Sequence, residues 1–148
     1  MAVDVFRMFQ LATQGFCCSQ IMLILGLDEL GKENPDLIKA MQGLCGGIGR
    51  SGKTCGAFTG GACLIGLNVG KGTPPENSHP KINRMINELL EWFEEAHGSI
   101  DCEGILDHSL GEGSEYPVQC GNIVATTFSK VNEILAAYAE DPESLDED

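Results

Sequence analysis

Cysteine is the residue type of this 148-residue sequence that is most able to do chemistry, and there are seven cysteines. Four fall at the predicted starts of different helices: Cys18, Cys55, Cys102 and Cys120. A helix N-terminus presents unpaired N–H groups and a partial positive charge, which stabilise a thiolate over a thiol. These four cysteines are therefore candidates for redox-active nucleophiles or metal ligands.

Cys55 has the strongest bias toward the thiolate. Arg50 and Lys53, two of only nine basic residues, lie within five positions of it. If pairs of these cysteines cycle between dithiol and disulfide, Cys55 is the predicted attacking thiolate.

Spacing excludes several familiar cysteine sites. No Cys-x-x-Cys occurs, so neither a thioredoxin-like dithiol nor a zinc ribbon is predicted. Four thiolates converging from separate helices could still bind an iron–sulfur cluster or zinc. Metal binding by this set is favoured slightly over a pair that cycles between dithiol and disulfide, and both chemistries fit the sequence. The three histidines are expected to be surface or helix-end residues rather than ligands: His79, His97 and His108.

The other three cysteines have less defined roles. Cys45 and Cys63 are expected to pack as small apolar residues. Cys17 precedes Cys18, and consecutive helical residues do not share a face, so only one of the two is expected to point into the site.

A second motif competes with the cysteines. Residues 47–54 match the phosphate-binding string G-x-x-x-x-G-K-[ST], which predicts a nucleotide-binding loop. Such a loop needs a buried strand before it, whereas the upstream apolar residues recur at helical spacing. Nucleotide binding is accordingly the weaker, third interpretation.

Helical periodicity recurs along the chain, and sustained alternation typical of strands does not. We predict an all-α fold, a compact bundle of about five to six helices around a central Gly-rich helix at 55–69. Each glycine in a helix costs about 1 kcal/mol relative to alanine, so this helix must pack closely against neighbouring backbones. A third helix is expected to begin at Pro35 and to dissolve in the Gly-rich turn at 46–52, with apolar residues at helical spacing as far as Ile48.

Composition limits the functional class. The formal charge of −13 argues against nucleic-acid binding. Residues 1–139 are predicted to form one domain and 140–148 an acidic solvated tail. The longest apolar run, Ile21 to Leu27, is too short to span a membrane, and no secretory leader is recognised, so a soluble cytoplasmic protein with reduced thiols is expected.

Longer motifs carry a family resemblance. They are Gly15-Phe16-Cys17-Cys18-Ser19-Gln20, Thr54-Cys55-Gly56-Ala57-Phe58-Thr59-Gly60-Gly61, His97-Gly98-Ser99-Ile100-Asp101-Cys102, and Cys120. In this order the chain resembles, over almost its whole length, the redox-active family named for its pattern C_GCAxxG_C_C. By position the resemblance implies the same four cysteines, a cytoplasmic redox role, and association with transporters. It also assigns the phosphate-loop-like string to a Gly-rich turn of the family.

Together these observations predict a small redox protein in which the four cysteines converge on one site. The residues expected to crowd around a bound cofactor are Gly52, Thr54, Gly56 and Gly60. A redox partner protein is expected, and a homodimer packed through small residues is compatible with the composition. The alternative is a non-enzymatic accessory module whose cysteines only pack or respond to redox state.

Overall fold

A computed structural model describes residues 4–106 and 118–139, and these residues form seven α-helices. The helices are α1 (Val5–Thr13), α2 (Cys18–Leu30), α3 (Pro35–Met41), α4 (Gly56–Val69), α5 (Ile82–His97), α6 (Cys102–Leu106) and α7 (Val118–Ala139). Within the two described ranges no β-strand is present, and the only β-type pairing is an isolated antiparallel bridge between Thr54 and Asp101. The all-α prediction is confirmed, and the predicted acidic tail lies outside the described residues.

Helices α2 and α4 form the centre of the bundle. The α2 side chains of Ile21, Met22 and Leu23 are fully buried, as its nearly continuous apolar sequence predicts. Helix α4 contacts α2, α5 and α7. The Gly-rich helix is therefore central, as expected.

Glycines of α4 allow this close packing on two sides. A Cβ atom on Gly60 would lie 2.8 Å from the Met22 Cβ atom of α2. A Cβ atom on Gly61 would lie 3.0 Å from the Leu89 side chain of α5. Because real Cβ atoms rarely have neighbours so near, a Cβ atom at either position would force its neighbour to move, and at Gly60 that neighbour is close to the α2 backbone.

Local signals explain most helix ends. Asp4 accepts a hydrogen bond from the Arg7 N–H at 3.0 Å and so caps α1. Asn34 caps α3 in the same way, and Pro35 takes the first helical position. Gly31 adopts the left-handed conformation that ends α2.

The third helix is shorter than predicted. It ends at Met41 and continues as a 3₁₀ turn over Gln42–Leu44 rather than reaching Ile48. The chain then reverses its hand, with φ angles of 65°, 79°, 66°, 61° and 60° at residues 46–50. A left-handed run opposes continuation of a right-handed helix, which explains the early end.

Glycine makes this left-handed turn possible at its tightest point. A Cβ atom on Gly47 would lie 2.6 Å from the Lys53 backbone nitrogen. Ile48 and Arg50 adopt positive φ without being glycine, which costs roughly 1–2 kcal/mol for each residue. The surrounding hydrogen bonds must therefore hold the turn in place.

None of the helices in the part of the chain that the structure describes is long and apolar enough to cross a membrane.

Candidate functional site

The isolated bridge between Thr54 and Asp101 brings together the residues that follow them, Cys55 and Cys102. The Cys55 N–H donates to the Ile100 carbonyl at 2.6 Å, and the Cys102 N–H donates to the Lys53 carbonyl at 2.7 Å. Cys55 is the N-cap of α4, and Cys102 is the first residue of α6. The pairing thus places two helix N-termini side by side, each carrying a cysteine.

The side chains of this pair also interact. Cys102 is hydrogen-bonded to Cys55, and this bond is the main reason that the pKa of the Cys102 thiol is strongly raised. Burial and the charge on Cys55 act in the same direction, whereas a hydrogen bond from the Gly56 backbone N–H opposes them. The two thiols are therefore coupled, so that ionisation of one opposes ionisation of the other.

This thiol pair is almost enclosed. Cys55 is 4% exposed and Cys102 is 5% exposed. A hydrogen bond between two sulfurs is strengthened where water is excluded, so burial reinforces the coupling between them.

Cys18 lies next to the same helix start. It is the first residue of α2 and is half-buried as a thiol. A Cβ atom on Gly56 would lie 3.4 Å from the Cys18 Cβ atom and 3.2 Å from the Ser19 backbone nitrogen. The N-termini of α2, α4 and α6 therefore meet around Gly56, with one predicted cysteine on each.

Cys120 is the third residue of α7, as the sequence pattern predicted, but its side chain lies outside the described residues. Among the side chains that are described, no group of three His, Cys, Asp or Glu residues is arranged to hold a metal ion. The metal set of Cys18, Cys55, Cys102 and Cys120 therefore stays a prediction, since one of its four side chains is not described.

A disulfide between Cys17 and Cys45 was not predicted. The two residues are 28 positions apart, with their Cα atoms separated by 5.8 Å. The expectation that Cys45 merely packs is wrong, because the turn after α3 brings it against the N-cap of α2. The odd cysteine count and the Cys17–Cys18 adjacency were the available signals, but neither identifies Cys45 as the partner.

Cys63 was also expected to pack, and this is wrong, since it is exposed on α4. The buried positions of that helix are taken by residues three and four apart that face α2, α5 and α7: Gly56, Ala57, Gly60, Gly61, Leu64 and Ile65. Cys63 falls outside this pattern of buried positions.

Four residues were predicted to surround a cofactor. Gly52 adopts positive φ in the left-handed turn, and Thr54 forms the bridge to Asp101. Gly56 borders the cysteines, whereas Gly60 lies one turn further along α4 and faces Met22 of α2. Only Thr54 and Gly56 are thus adjacent to the thiol pair, and cofactor binding by all four stays a prediction.

The nucleotide-binding interpretation is contradicted by the turn's hydrogen bonds. The backbone N–H groups of residues 48 to 53 all donate to backbone carbonyls between Gly43 and Ile48. A phosphate-binding loop needs such groups pointing at the ligand. The chain also enters the turn from a 3₁₀ turn, not a strand.

Comparison with known proteins identifies one family. The profile described as "Putative redox-active protein (C_GCAxxG_C_C)" matches residues 16–134. No curated protein and no solved structure matches the chain.

Proposed function

The chain belongs to the redox-active C_GCAxxG_C_C family, and from that premise we propose that it carries out thiol–disulfide exchange at Cys55 and Cys102. The observation that carries the proposal is the hydrogen bond between these two buried thiols, one at the N-cap of α4 and the other at the start of α6. Two neighbouring thiols with unequal proton affinities are the groups that a dithiol–disulfide cycle requires.

We assign the attacking role to Cys55, because Arg50 and Lys53 lie within five positions of it in the sequence. The Cys55 thiolate attacks a partner disulfide, forms a mixed disulfide and releases one partner thiolate, which takes up a proton. The Cys102 sulfur then loses its proton and attacks the Cys55 sulfur, which forms a Cys55–Cys102 disulfide and releases the second partner thiol. The partner disulfide is reduced by two electrons, and the two cysteine thiols are oxidised.

Backbone groups around Gly56 assist this cycle. Its N–H already donates to the Cys102 sulfur, and this bond favours the thiolate that the second step needs. Cys18 lies beside Gly56 and is less buried than the pair. We therefore assign Cys18 to the approach by which a partner sulfur reaches Cys55.

Oxidation followed by mapping tests the proposal. The purified protein is treated with diamide under native conditions, alkylated, and digested without reduction for mass spectrometry. We expect a new peptide linkage between Cys55 and Cys102, and we expect it to disappear in Cys55→Ser and Cys102→Ser. Cys63→Ser is the matched control and should leave the linkage intact.

Two results would contradict the proposal. In the first, Cys55 and Cys102 can both still be alkylated after the Cys18 thiol has been oxidised. In the second, Cys55 is linked to Cys18 alone.

Metal binding through Cys18, Cys55, Cys102 and Cys120 stays a prediction. Thiolates suit iron–sulfur clusters and zinc, and three helix starts with cysteines do meet around Gly56. Anaerobic purification with metal analysis and a visible spectrum tests this. Stoichiometric metal that protects these thiols from alkylation would replace the exchange proposal.

We further propose that the protein works in the cytoplasm with a redox partner protein. The family context favours a transporter-associated partner. The formal charge of −13 favours a partner with a basic surface, and the association should weaken as salt is raised. Sedimentation at two salt concentrations would test the partner complex and also the homodimer that the composition allows. If Cys55→Ser leaves partner binding and redox response intact, the non-enzymatic accessory role is favoured.

A further inference from the structure

A cleft of about 490 Å³ lies between α1, α2 and α3, away from the Cys55–Cys102 pair. Its apolar lining residues come from all three helices and the turn before α2: Leu11, Phe16, Ile24, Leu27 and Ile38. This volume is in the usual range for small-molecule sites.

The charge of the cleft differs from that of the chain. Arg7, Lys32 and Lys39 line it, three of the nine basic residues of a chain whose formal charge is −13. The lining carboxylates are only two, Asp28 and Glu33. The cleft is therefore locally cationic in an acidic protein, which favours an anionic ligand.

The lysines are available for such a ligand. Arg7 pairs with Asp28 at 3.0 Å, whereas neither Lys32 nor Lys39 forms an ion pair with any residue that the structure describes. Both lysines are exposed. A carboxylate in the cleft could bind them without displacing an existing partner.

The cleft ends next to the Cys17–Cys45 disulfide. Gln20 lines the cleft, and its Oε1 atom accepts the Cys17 N–H at 3.1 Å and lies 4.0 Å from the Cys45 Sγ atom. Its Nε2 atom donates to the Ile38 carbonyl at 3.2 Å, which fixes the side chain between cleft and disulfide. Both cysteines are only half-buried, so a ligand in the cleft lies one side chain away from reachable sulfurs.

We propose that this cleft binds an anionic low-molecular-weight thiol that exchanges with the Cys17–Cys45 disulfide. The ligand thiolate attacks the Cys45 sulfur, the Cys17–Cys45 bond breaks, and Cys17 leaves as a thiolate. A second ligand thiolate then attacks the ligand sulfur of the mixed disulfide, and Cys45 leaves as a thiolate, which yields one ligand disulfide and two protein thiols. Two ligand thiols are thus oxidised as one protein disulfide is reduced, and their two protons pass to Cys17 and Cys45.

The direction of attack follows from the helix start. Cys17 is the N-cap of α2, where the helix N-terminus stabilises a leaving thiolate, and the Ser19 Oγ atom lies 3.3 Å from its sulfur. Cys45 follows a short 3₁₀ turn and has no comparable helix. Attack at Cys45 therefore releases the better leaving group.

Paired thiols that differ only in charge test the proposal. We compare glutathione with glutathione diethyl ester, following loss of the Cys17–Cys45 linkage by mass spectrometry and dividing each rate by the thiolate concentration. An acidic protein without such a site would repel the anionic thiol, so it would react faster with the ester. The proposal predicts the opposite order, with glutathione faster by about fivefold at low salt.

Charge-neutralising variants locate the effect. In Lys32→Gln/Lys39→Gln the ratio of the two rates should fall to one or below, as it should for the wild type at high salt. Lys71→Gln, an exposed lysine elsewhere, should keep the wild-type ratio. Binding of S-methylglutathione, which cannot exchange, should show the same dependence on the two cleft lysines by calorimetry.

Either of two results would overturn the inference: a wild-type protein that reacts at least as fast with the ester, or a preference for glutathione that survives in the double variant. The inference does not depend on the buried pair, so Cys55→Ser/Cys102→Ser should retain the preference. A wild-type protein that shows no exchange at Cys55 and Cys102 but keeps the preference for glutathione would refute the proposed function and leave this inference standing.

Discussion

Replacing Gly60 with alanine tests whether the close contact of α2 and α4 holds the site together. In an open helical position the change would stabilise the protein by about 1 kcal/mol. Here the new Cβ atom would lie 2.8 Å from the Met22 Cβ atom and 3.2 Å from the Ser19 Cα atom. Neither atom is the end of a flexible side chain, so the helices must separate, at a cost of about 3 kcal/mol at the upper end for overpacking. We expect a net loss of about 2 kcal/mol.

Gly66 provides the control within the same helix. A Cβ atom there would have no neighbour within 4 Å, so Gly66→Ala should stabilise the protein by about 1 kcal/mol. Urea unfolding without reductant, which keeps the Cys17–Cys45 disulfide, should place the two variants about 3 kcal/mol apart with equal m-values. The melting temperatures should differ by roughly 9 °C. A Gly60→Ala protein as stable as the wild type would refute the close-packing argument.

Three further outcomes are expected. Because the Cys17–Cys45 disulfide links residues 28 positions apart, the Cys17→Ser/Cys45→Ser protein should lose about 3.6 kcal/mol in urea unfolding, and a loss below 1 kcal/mol would contradict this. Cys102→Ala removes the thiol that donates to Cys55, so the midpoint of Cys55 thiolate formation, followed by absorbance at 240 nm, should rise by about one pH unit, and less in Cys102→Ser, which keeps a donor. Ile48→Gly should stabilise the protein by about 1 kcal/mol, because Ile48 is held at φ 66°, and a loss of stability in thermal unfolding would count against strain there.

Much of the site follows from local sequence. The positions of Cys18, Cys55, Cys102 and Cys120 within the first turns of four helices were predictable, because caps, prolines and apolar spacing define helix starts over a few residues. The structure places three of them near Gly56, and their action as one site stays a prediction.

Features that depend on distant residues were not predictable. The Cys17–Cys45 disulfide requires the path of the chain after α3, and nothing near Cys45 specifies its partner. Periodicity extended α3 to Ile48 because apolar spacing carries no information on the sign of φ. The same glycines that suggested a phosphate loop instead allow a left-handed turn closed by its own hydrogen bonds.

The bridge between Thr54 and Asp101 holds together the two ends of the segment that contains α4 and α5, so this segment forms a closed loop of the chain. A covalent link between Cys55 and Cys102 would restrict 47 positions of the unfolded chain, which amounts to about 4 kcal/mol of added resistance to unfolding. Oxidation would then lengthen the life of the folded protein, and the surrounding redox balance would govern its abundance as well as its reactivity.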